Sequence, residues 1–340
     1  MLGGSVKYTS KPYYHTGIGI RQYLSQHILD SKNPIQTSLT DSAGEDLNPL
    51  SELYLYYDHD DFFLKAGKQQ LNTPLLNHDT TRLVPFSYRG LTAKFYLGIC
   101  SCISVGYIDR FRFNNSETYT DITPVGRAEN GIGYLGFNTV FGKVKHQWFY
   151  YHAPALYDAF HLQVESNTRY KKYQQIVYGV QGIYTFQNGS IAQITNRVNG
   201  GEDVRLLAAK LGLESHKFSY IGSLSYNFGG DGINRGYGGL SSLYTTLMIS
   251  SGKKEGHPFA KSFKVRYTYY SPNKDKQYSS GLYFTNITYP ENQNNTINAL
   301  YIDHKFKFRP REYLLLRAEK QWIANASDKT YFRIISAYEF

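Results

Sequence analysis

The sequence contains no apolar run long enough to form a membrane-spanning helix, which needs about 20 residues. Its mean hydropathy is −0.46, so a helical membrane protein is excluded. Cysteine is nearly absent, since only Cys100 and Cys102 occur, and these two do not make a disulfide framework. The histidines are scattered without metal-ligand spacing, and no nucleophile elbow or catalytic triad is visible. The sequence therefore predicts no metal site, no cofactor and no enzyme.

The charge balance is basic, with a formal net charge of +10. Such a balance is compatible with nucleic acid, an anionic membrane or an anionic solute. Lysine and arginine are spread through the chain and are not concentrated in a tail or on one helix. This distribution is unlike a nucleic-acid footprint, so no nucleic-acid partner is predicted.

Aromatic residues are abundant, with 33 Tyr and 20 Phe, and aromatic side chains favour strands. Polar and apolar residues alternate with a period of two in many segments, which predicts strands with one apolar face. In 218–226 the apolar face carries Phe218, Tyr220, Leu224 and Tyr226, and the opposite face carries Ser219, Ser223 and Ser225. In 300–308 the apolar face carries Leu300, Ile302, Phe306 and Phe308, and the opposite face carries Tyr301, Asp303 and Lys305.

Seventeen strands are predicted, many of them close to the length of a tilted transmembrane strand. They span residues 4–9, 13–23, 50–57, 62–69, 90–98, 102–113, 127–139, 142–152, 173–186, 190–198, 203–213, 217–228, 261–271, 279–289, 297–308, 312–322 and 330–340. The predicted fold is all-β, a single transmembrane antiparallel up-and-down β-barrel of 16–18 strands that occupies residues 1–340.

The connections between these strands alternate in length. Long segments at 24–49, 70–89, 114–126, 153–172 and 229–260 alternate with short turns, and only 199–202 and 272–278 break the pattern. Long loops on one side and tight turns on the other are typical of outer-membrane barrels. The alternation therefore predicts a location in the bacterial outer membrane, in contact with lipid and lipopolysaccharide.

The two chain ends lead to further expectations. The last strand places Phe332, Ile334, Tyr338 and Phe340 on one face, a pattern that resembles the recognition signal of the barrel-assembly machinery, with Phe340 as its last residue. The last strand is expected to run toward the periplasm. Because neighbouring strands are antiparallel, the first of 17 strands would run in the same direction. Because barrels of this kind have an even strand number, we expect one missing N-terminal strand or a count that is wrong by one. The first five residues also lack the features of a signal peptide, so we expect a mature or truncated form.

The segment 64–90 resembles the signature of the OprD-type outer-membrane specific porins. In that family a strand that ends Gly-basic-Gln leads into a loop with conserved spacing, and the matching residues here are Gly67, Lys68, Gln69, Thr73, Pro74, Asn77, Asp79, Arg82, Pro85 and Gly90. Weaker similarity extends to the C-terminus and is closest to relatives from Helicobacter- and Campylobacter-like bacteria. The first strand of the family has no counterpart in this sequence.

The resemblance implies an 18-stranded monomeric barrel with a narrow pore and inward-folded loops. The segments near 70–89 and 229–260 are the predicted inward loops. The implied solutes are small, water-soluble and carboxylate-bearing, such as amino acids, peptides and organic acids. The predicted function is passive, selective diffusion of these solutes through a basic constriction.

The predicted pore-lining residues follow from the phase of the alternation, because a charge on the lipid face is costly. Arginine is well suited to this role since its guanidinium can bind a carboxylate with two hydrogen bonds. On the strands the predicted set is Lys65, Arg110, Arg112, Lys264, Arg266, Lys305, Arg317 and Arg333. In the signature loop it is Asp79, Arg82 and Arg89. The alternative is that these charges solvate the lumen wall or, for Asp79 and Arg82, fix the loop shape.

Two other functions stay open at the level of sequence. One is a surface adhesin, whose closed barrel would anchor host-binding loops at 24–49, 153–172 and 229–260. The other is an outer-membrane lipase or protease, which would need a Ser/His pair on adjacent strands at the membrane boundary.

Overall fold

A computed structural model of the chain describes thirteen ranges and leaves the segments between them undescribed. The described residues are 2–26, 40–41, 43–78, 83–123, 126–154, 156–187, 204–228, 237–238, 243–245, 259–270, 277–288, 296–309 and 312–338. Their regular secondary structure consists of β-strands. Among them, no helix has the length and apolar character needed to cross a membrane.

The strands of the described residues are numbered in chain order. They are β1 Leu2–Thr9, β2 Thr16–Gln26, β3 Leu50–His59, β4 Phe62–Gln69, β5 Ser87–Tyr96, β6 Cys102–Arg112, β7 Ile122–Thr123, β8 Gly126–Arg127, β9 Ile132–Phe141, β10 Val144–His152, β11 Tyr157–Lys171, β12 Gln174–Gln187, β13 Arg205–Ser215, β14 Phe218–Asn227, β15 Phe259–Tyr270, β16 Gln277–Thr288, β17 Ile297–Arg309, β18 Glu312–Ile323 and β19 Lys329–Tyr338. Seventeen of them form one sheet, and β7 and β8 pair separately as a short ribbon.

The large sheet is an antiparallel meander in which each strand pairs with the next one along the chain. The registers run from β1–β2 to β5–β6, across β6–β9, and on from β9–β10 to β18–β19. This order confirms the predicted all-β, up-and-down antiparallel architecture. The 17 strands of the sheet also lie within the predicted range of 16–18.

The two faces of the sheet have opposite character, and the apolar face is the exposed one. On β14, Tyr220 and Leu224 are 42% and 54% exposed, whereas Ser223 and Ser225 on the opposite face are buried. On β18, Trp322 is exposed while Glu319 and Gln321 are buried. A water-soluble barrel would bury its apolar face. A transmembrane barrel presents an apolar outer face to lipid and a polar inner face to the lumen, and the alternation in the sequence predicted this arrangement.

Two-residue turns join strands at one end of the barrel, here named the turn end. They lie at 60–61, 142–143, 172–173 and 216–217. Longer connections, including those at 27–49 and 70–86, lie at the opposite end, here named the loop end. The two ends therefore differ as the alternating connection lengths predicted.

The prediction of a long loop at 153–172 is wrong, because residues 157–171 form β11, a strand of 15 residues. Its second half is polar on both faces, from Glu165 to Arg169, and this composition hides the alternation. Its pairing with β12 moves the tight turn to 172–173. The predicted strand at 190–198 and the turn at Asn188-Gly189 lie outside the described residues.

Candidate functional site in the barrel lumen

The signature segment begins at a backbone position that only glycine suits. Gly67 has a φ of +122°, and a Cβ atom there would collide with the carbonyl oxygen of Leu53 on β3. Two residues later, Gln69 donates from Nε2 to the Gly90 carbonyl at 3.1 Å and accepts from Thr92 Oγ1 at 3.0 Å. The Gly-basic-Gln motif thus fixes the end of β4 against β5, where the loop starts.

The described start of the loop that follows, 70–78, packs on the inner face of the barrel wall. Tyr151 of β10 is fully buried, whereas Trp148 on the opposite face of that strand is exposed. The Tyr151 hydroxyl donates to Thr73 Oγ1 at 2.9 Å and accepts from the Leu75 N–H at 3.2 Å. On β5, the Tyr88 hydroxyl donates to the Asn77 carbonyl at 2.6 Å. Two wall tyrosines therefore hold the loop.

The described part of the second predicted loop, 229–260, meets the first one. The Tyr237 N–H donates to the Leu75 carbonyl at 2.9 Å, and the Asn77 N–H donates to the Gly238 carbonyl at 3.1 Å. The Tyr237 ring stacks on Tyr157 with centroids 4.7 Å apart. Burial raises the pKa of the Tyr237 hydroxyl well above its usual value, so this hydroxyl is a permanent donor, and it donates to the Tyr157 carbonyl at 2.7 Å.

Glu165 on β11 anchors the same loop to the wall through a carboxylate oxygen that accepts three hydrogen bonds. Its Oε1 accepts from Gln163 Nε2 at 2.7 Å, Lys210 Nζ at 2.6 Å and Tyr244 Oη at 3.0 Å. The ammonium of Lys210 also lies 4.6 Å from the centroid of the Tyr244 ring. We call Glu165, Gln163, Lys210 and Tyr244 the Glu165 anchor; its one carboxylate balances its one cation.

A second carboxylate, on the wall formed by β1–β4, is surrounded by cations. Glu52 is 2% exposed, and its carboxylate lies 3.4 Å from Arg21 Nη1, 3.8 Å from Lys7 Nζ and 3.9 Å from Lys65 Nζ. The register explains part of this arrangement, because Lys7 pairs with Arg21 and Arg21 pairs with Glu52 across three strands. We call these four residues the Glu52 cluster, and three cations against one carboxylate give it a net charge of +2.

The Glu52 cluster touches the start of the signature loop. Arg21 Nη1 donates to Gln70 Oε1 at 3.2 Å and to Tyr23 Oη at 3.1 Å. The Lys65 ammonium lies 3.7 Å from the centroid of the Tyr54 ring, a cation–π contact that does not neutralise it. Within the described part of the chain, Arg21 Nε and Glu52 Oε1 have no hydrogen-bond partner. The cluster thus has hydrogen-bonding capacity to spare, unlike the Glu165 anchor.

Lys65 is the predicted pore-lining residue that joins this cluster, and three others lie elsewhere near the loop end. Arg89 forms an ion pair with Asp109, and Arg110 Nη1 donates to the Asp109 carbonyl at 2.8 Å. Arg112 is completely buried. Its guanidinium makes five hydrogen bonds, to Ser87 Oγ, Ser51 Oγ and the carbonyls of Pro85, Phe113 and Ser116. In this geometry Arg112 fastens the signature loop to its neighbours.

The remaining predicted residues are spread over other strands. Arg317 lies in register between Asp303 and Arg333 on β17–β19, and the Lys305 ammonium lies 4.1 Å from the Tyr313 ring centroid. For Lys264 and Arg266 on β15, the position is given by backbone register alone. Lys264 pairs with Ile221 of β14 and with Tyr283 of β16. Arg266 pairs with Ser219 and Gly281 of the same two strands. Asp79, Arg82 and the terminal Phe340 lie outside the described residues.

Sequence reasoning did not select Lys7, Arg21, Glu52, Glu165 or Lys210. The signal for the first three was present, because each alternates with the apolar residues of its strand, as Arg21 does with Ile18 and Ile20. The sequence predicts a loop over the residues of β11, so it does not identify Glu165 as a residue of the barrel wall.

These observations define the class of the molecule: a transmembrane-type β-barrel with a polar inner wall against which two loops pack. No protein-family model and no curated protein matches the sequence. Solved structures do match. Pseudomonas aeruginosa OccK9 (OpdG) has a TM-score of 0.80 at 14% identity, with 99% of this chain and 89% of that chain covered. Acinetobacter baumannii OccAB4 has a TM-score of 0.77 at 14% identity, covering 99% and 90%.

A third similar structure is that of P. aeruginosa OpdK with vanillate, with a TM-score of 0.76 at 14% identity, covering 99% of this chain and 91% of that one. Another structure of the P. aeruginosa outer membrane protein OpdK has the same TM-score. The chain therefore has the fold of the OprD-type porins, as the resemblance of residues 64–90 predicted.

Proposed function

We propose that the chain is an outer-membrane porin through which small, water-soluble, carboxylate-bearing solutes diffuse passively. A selective channel needs a narrowed water-filled path and charges that favour one sign of solute. The two loops that meet at Leu75 and Tyr237 supply the narrowing. The Glu52 cluster supplies the charge.

The observation that carries the proposal is the excess of positive charge in the Glu52 cluster, beside the loop. One nearly buried carboxylate cannot balance Lys7, Arg21 and Lys65 together. The side chain of Arg21 is about a quarter exposed and that of Lys7 is 40% exposed, so both cations are open to solvent. A guanidinium or ammonium group open to solvent is suited to a carboxylate, which accepts charge-assisted hydrogen bonds. The cluster therefore favours the entry of anions.

The structural relatives add support for this solute class. The OpdK structure contains vanillate, which is an aromatic carboxylate. We further propose that the barrel works as a monomer and that lipid and lipopolysaccharide surround its exposed apolar face. Arg82 and Asp79 of the signature loop, with the other predicted basic residues, remain proposed members of the lumen wall.

The test is the current through single barrels in a planar bilayer, measured in a salt gradient. Folded protein should conduct, and its reversal potential should show anion preference. The double substitution Arg21→Gln/Lys65→Gln brings the Glu52 cluster from +2 to 0, so the anion-to-cation permeability ratio should fall several-fold. Arg309→Gln, which removes an exposed charge paired with Glu312, is the matched control. Folded protein that does not conduct would refute the channel, and an unchanged reversal potential would refute the role of the cluster.

A further inference from the structure

The turn end of the barrel carries opposite charges on different sides. Around the turn at 60–61 the charged residues are Asp58, Asp60 and Asp61. The three successive turns at 142–143, 172–173 and 216–217 carry lysine instead, and an open cleft of about 760 Å³ lies among them. A volume of this size is within the usual range of small-molecule sites, about 300–1,000 Å³.

The lining of this cleft is strongly basic. Its cations are Lys143, Arg169, Lys171, Lys172 and Lys217. Among the described residues that line it, Glu214 supplies the one carboxylate, and Glu214 already accepts from Gln175 Nε2 at 3.2 Å and from Ser219 Oγ at 3.4 Å. Five cations against one carboxylate leave an excess of four positive charges.

The cations of the cleft line one volume without salt-bridge partners among the described residues. In the part of the chain that the structure describes, none of the five forms a salt bridge. Lys171 and Lys172 each lie 5.3 Å from the ring centroid of a neighbouring tyrosine, and this contact orients an ammonium without neutralising it. Because like charges that are held together repel, a bound anion would stabilise this arrangement.

One row of the lining lies on the inner face of the barrel. The register joins Arg169 to Gln175, Gln175 to Glu214, and Glu214 to Ser219 across β11–β14. On β12, Gln175 shares its face with the buried Gln181, whereas Tyr178 is exposed on the outer face. The same register row continues to Arg266 on β15. The cleft therefore opens at the mouth of the lumen.

We propose that this cleft is an anion site for a multiply charged ligand of the phosphate type. Several lysines around one open volume suit a phosphate, which lysine binds as a point charge. The site is separate from the Glu52 cluster, which lies on β1–β4. Its place at the periplasmic exit of the solute path rests on the proposed function, whereas the binding itself does not.

The test is a titration of inorganic pyrophosphate into full-length protein in nonionic detergent, followed by phosphorus NMR. The wild-type protein should bind, and Lys171→Gln/Lys217→Gln should weaken the affinity by roughly ten-fold or more, since charge-assisted bonds are lost. The control Lys11→Gln/Arg309→Gln removes two positive charges at the turn end that do not line the cleft, and its affinity should equal that of the wild type. Heat-dependent gel migration verifies that each variant is a folded barrel.

Absence of binding by the folded wild-type protein, or equal affinity in the Lys171/Lys217 variant, would overturn the site. A phospholipid headgroup offers the same chemistry, so short-chain phosphatidylglycerol is added as a competitor. If pyrophosphate stays bound in the presence of this lipid, the result supports a site for a solute. If the lipid displaces pyrophosphate, the assignment of the cleft to the solute path is overturned. Because binding in micelles does not require conduction, retained binding by a barrel that does not conduct would refute the proposed function alone.

Discussion

Two carboxylates on the inner wall of this barrel have opposite relations to their cations. Glu165 has one cation, and its Oε1 accepts three hydrogen bonds, one of them from Tyr244 of a loop. Glu52 has three cations at 3.4–3.9 Å, and its Oε1 accepts no hydrogen bond from the described residues. The first site is satisfied internally, whereas the second has an excess of two positive charges.

If the proposed function holds, an ion pair on the lumen wall has two distinct uses. A saturated pair is a structural anchor, because each group already has the partner that burial requires. An unbalanced cluster is less favourable for the empty protein, since like charges lie close together, and this cost is reduced when an anion enters. The number of cations and the hydrogen bonds around each carboxylate together separate the two uses.

Charge reversal in the Glu52 cluster should have the largest effect. Arg21→Glu/Lys65→Glu leaves one cation against three carboxylates, so the net charge changes from +2 to −2. The reversal potential in a salt gradient should change sign, from anion to cation preference. Arg309→Glu, at an exposed position far from this cluster in the chain, should keep the anion preference. Anion preference that survives the double reversal in folded protein would show that the cluster does not face the solute path.

Loss of the carboxylate in the Glu165 anchor should have a smaller effect of a different kind. Glu165→Gln removes the charge that Lys210 and Tyr244 bind, and hydrogen bonds to charged groups contribute about 1.5–3 kcal/mol each. The loop that carries Tyr244 should leave the wall more often, which increases open-channel current noise and cleavage of that loop by added protease. Glu52→Gln is the comparison variant, and its noise should match that of the wild type. Equal noise in all three proteins would contradict the anchoring role.

The fold could be predicted from the sequence because the alternation is visible wherever one strand face meets lipid. Strands such as β14 and β18 show it clearly, since aromatic and aliphatic residues on one face alternate with polar ones. β11 does not show it, because the run from Glu165 to Arg169 is polar on both faces. Its strand character comes from pairing with β10 and β12, which no local pattern reports.

The site was predictable only in part, because its residues lie far apart in the sequence. Lys65 was found from its phase, and the same phase marks Arg21 and Glu52 as inward. That these residues meet Lys7 depends on the registers of four strands, including a bulge between Arg21 and Gln22. The contact of Tyr244 with Glu165 joins residues 79 positions apart. Such contacts depend on closure of the barrel and on the path of a loop, so periodicity does not reveal them.

The smallest expected effect comes from a single hydroxyl of the Glu165 anchor. Tyr244→Phe removes one of the two hydrogen bonds that Glu165→Gln weakens, worth about 1.5–3 kcal/mol, so the current noise should rise less than in Glu165→Gln at neutral pH. Burial, and then the charge of Glu165, raise the pKa of the Tyr244 hydroxyl above its ordinary value of 10.0. Because the pKa in the folded protein exceeds that of the unfolded chain, the hydroxyl contributes fully below pH 10 and progressively less above it. Wild-type noise should therefore approach that of Tyr244→Phe only in strongly alkaline solution; convergence already near pH 10 would give the hydroxyl its ordinary pKa, as in water away from Glu165.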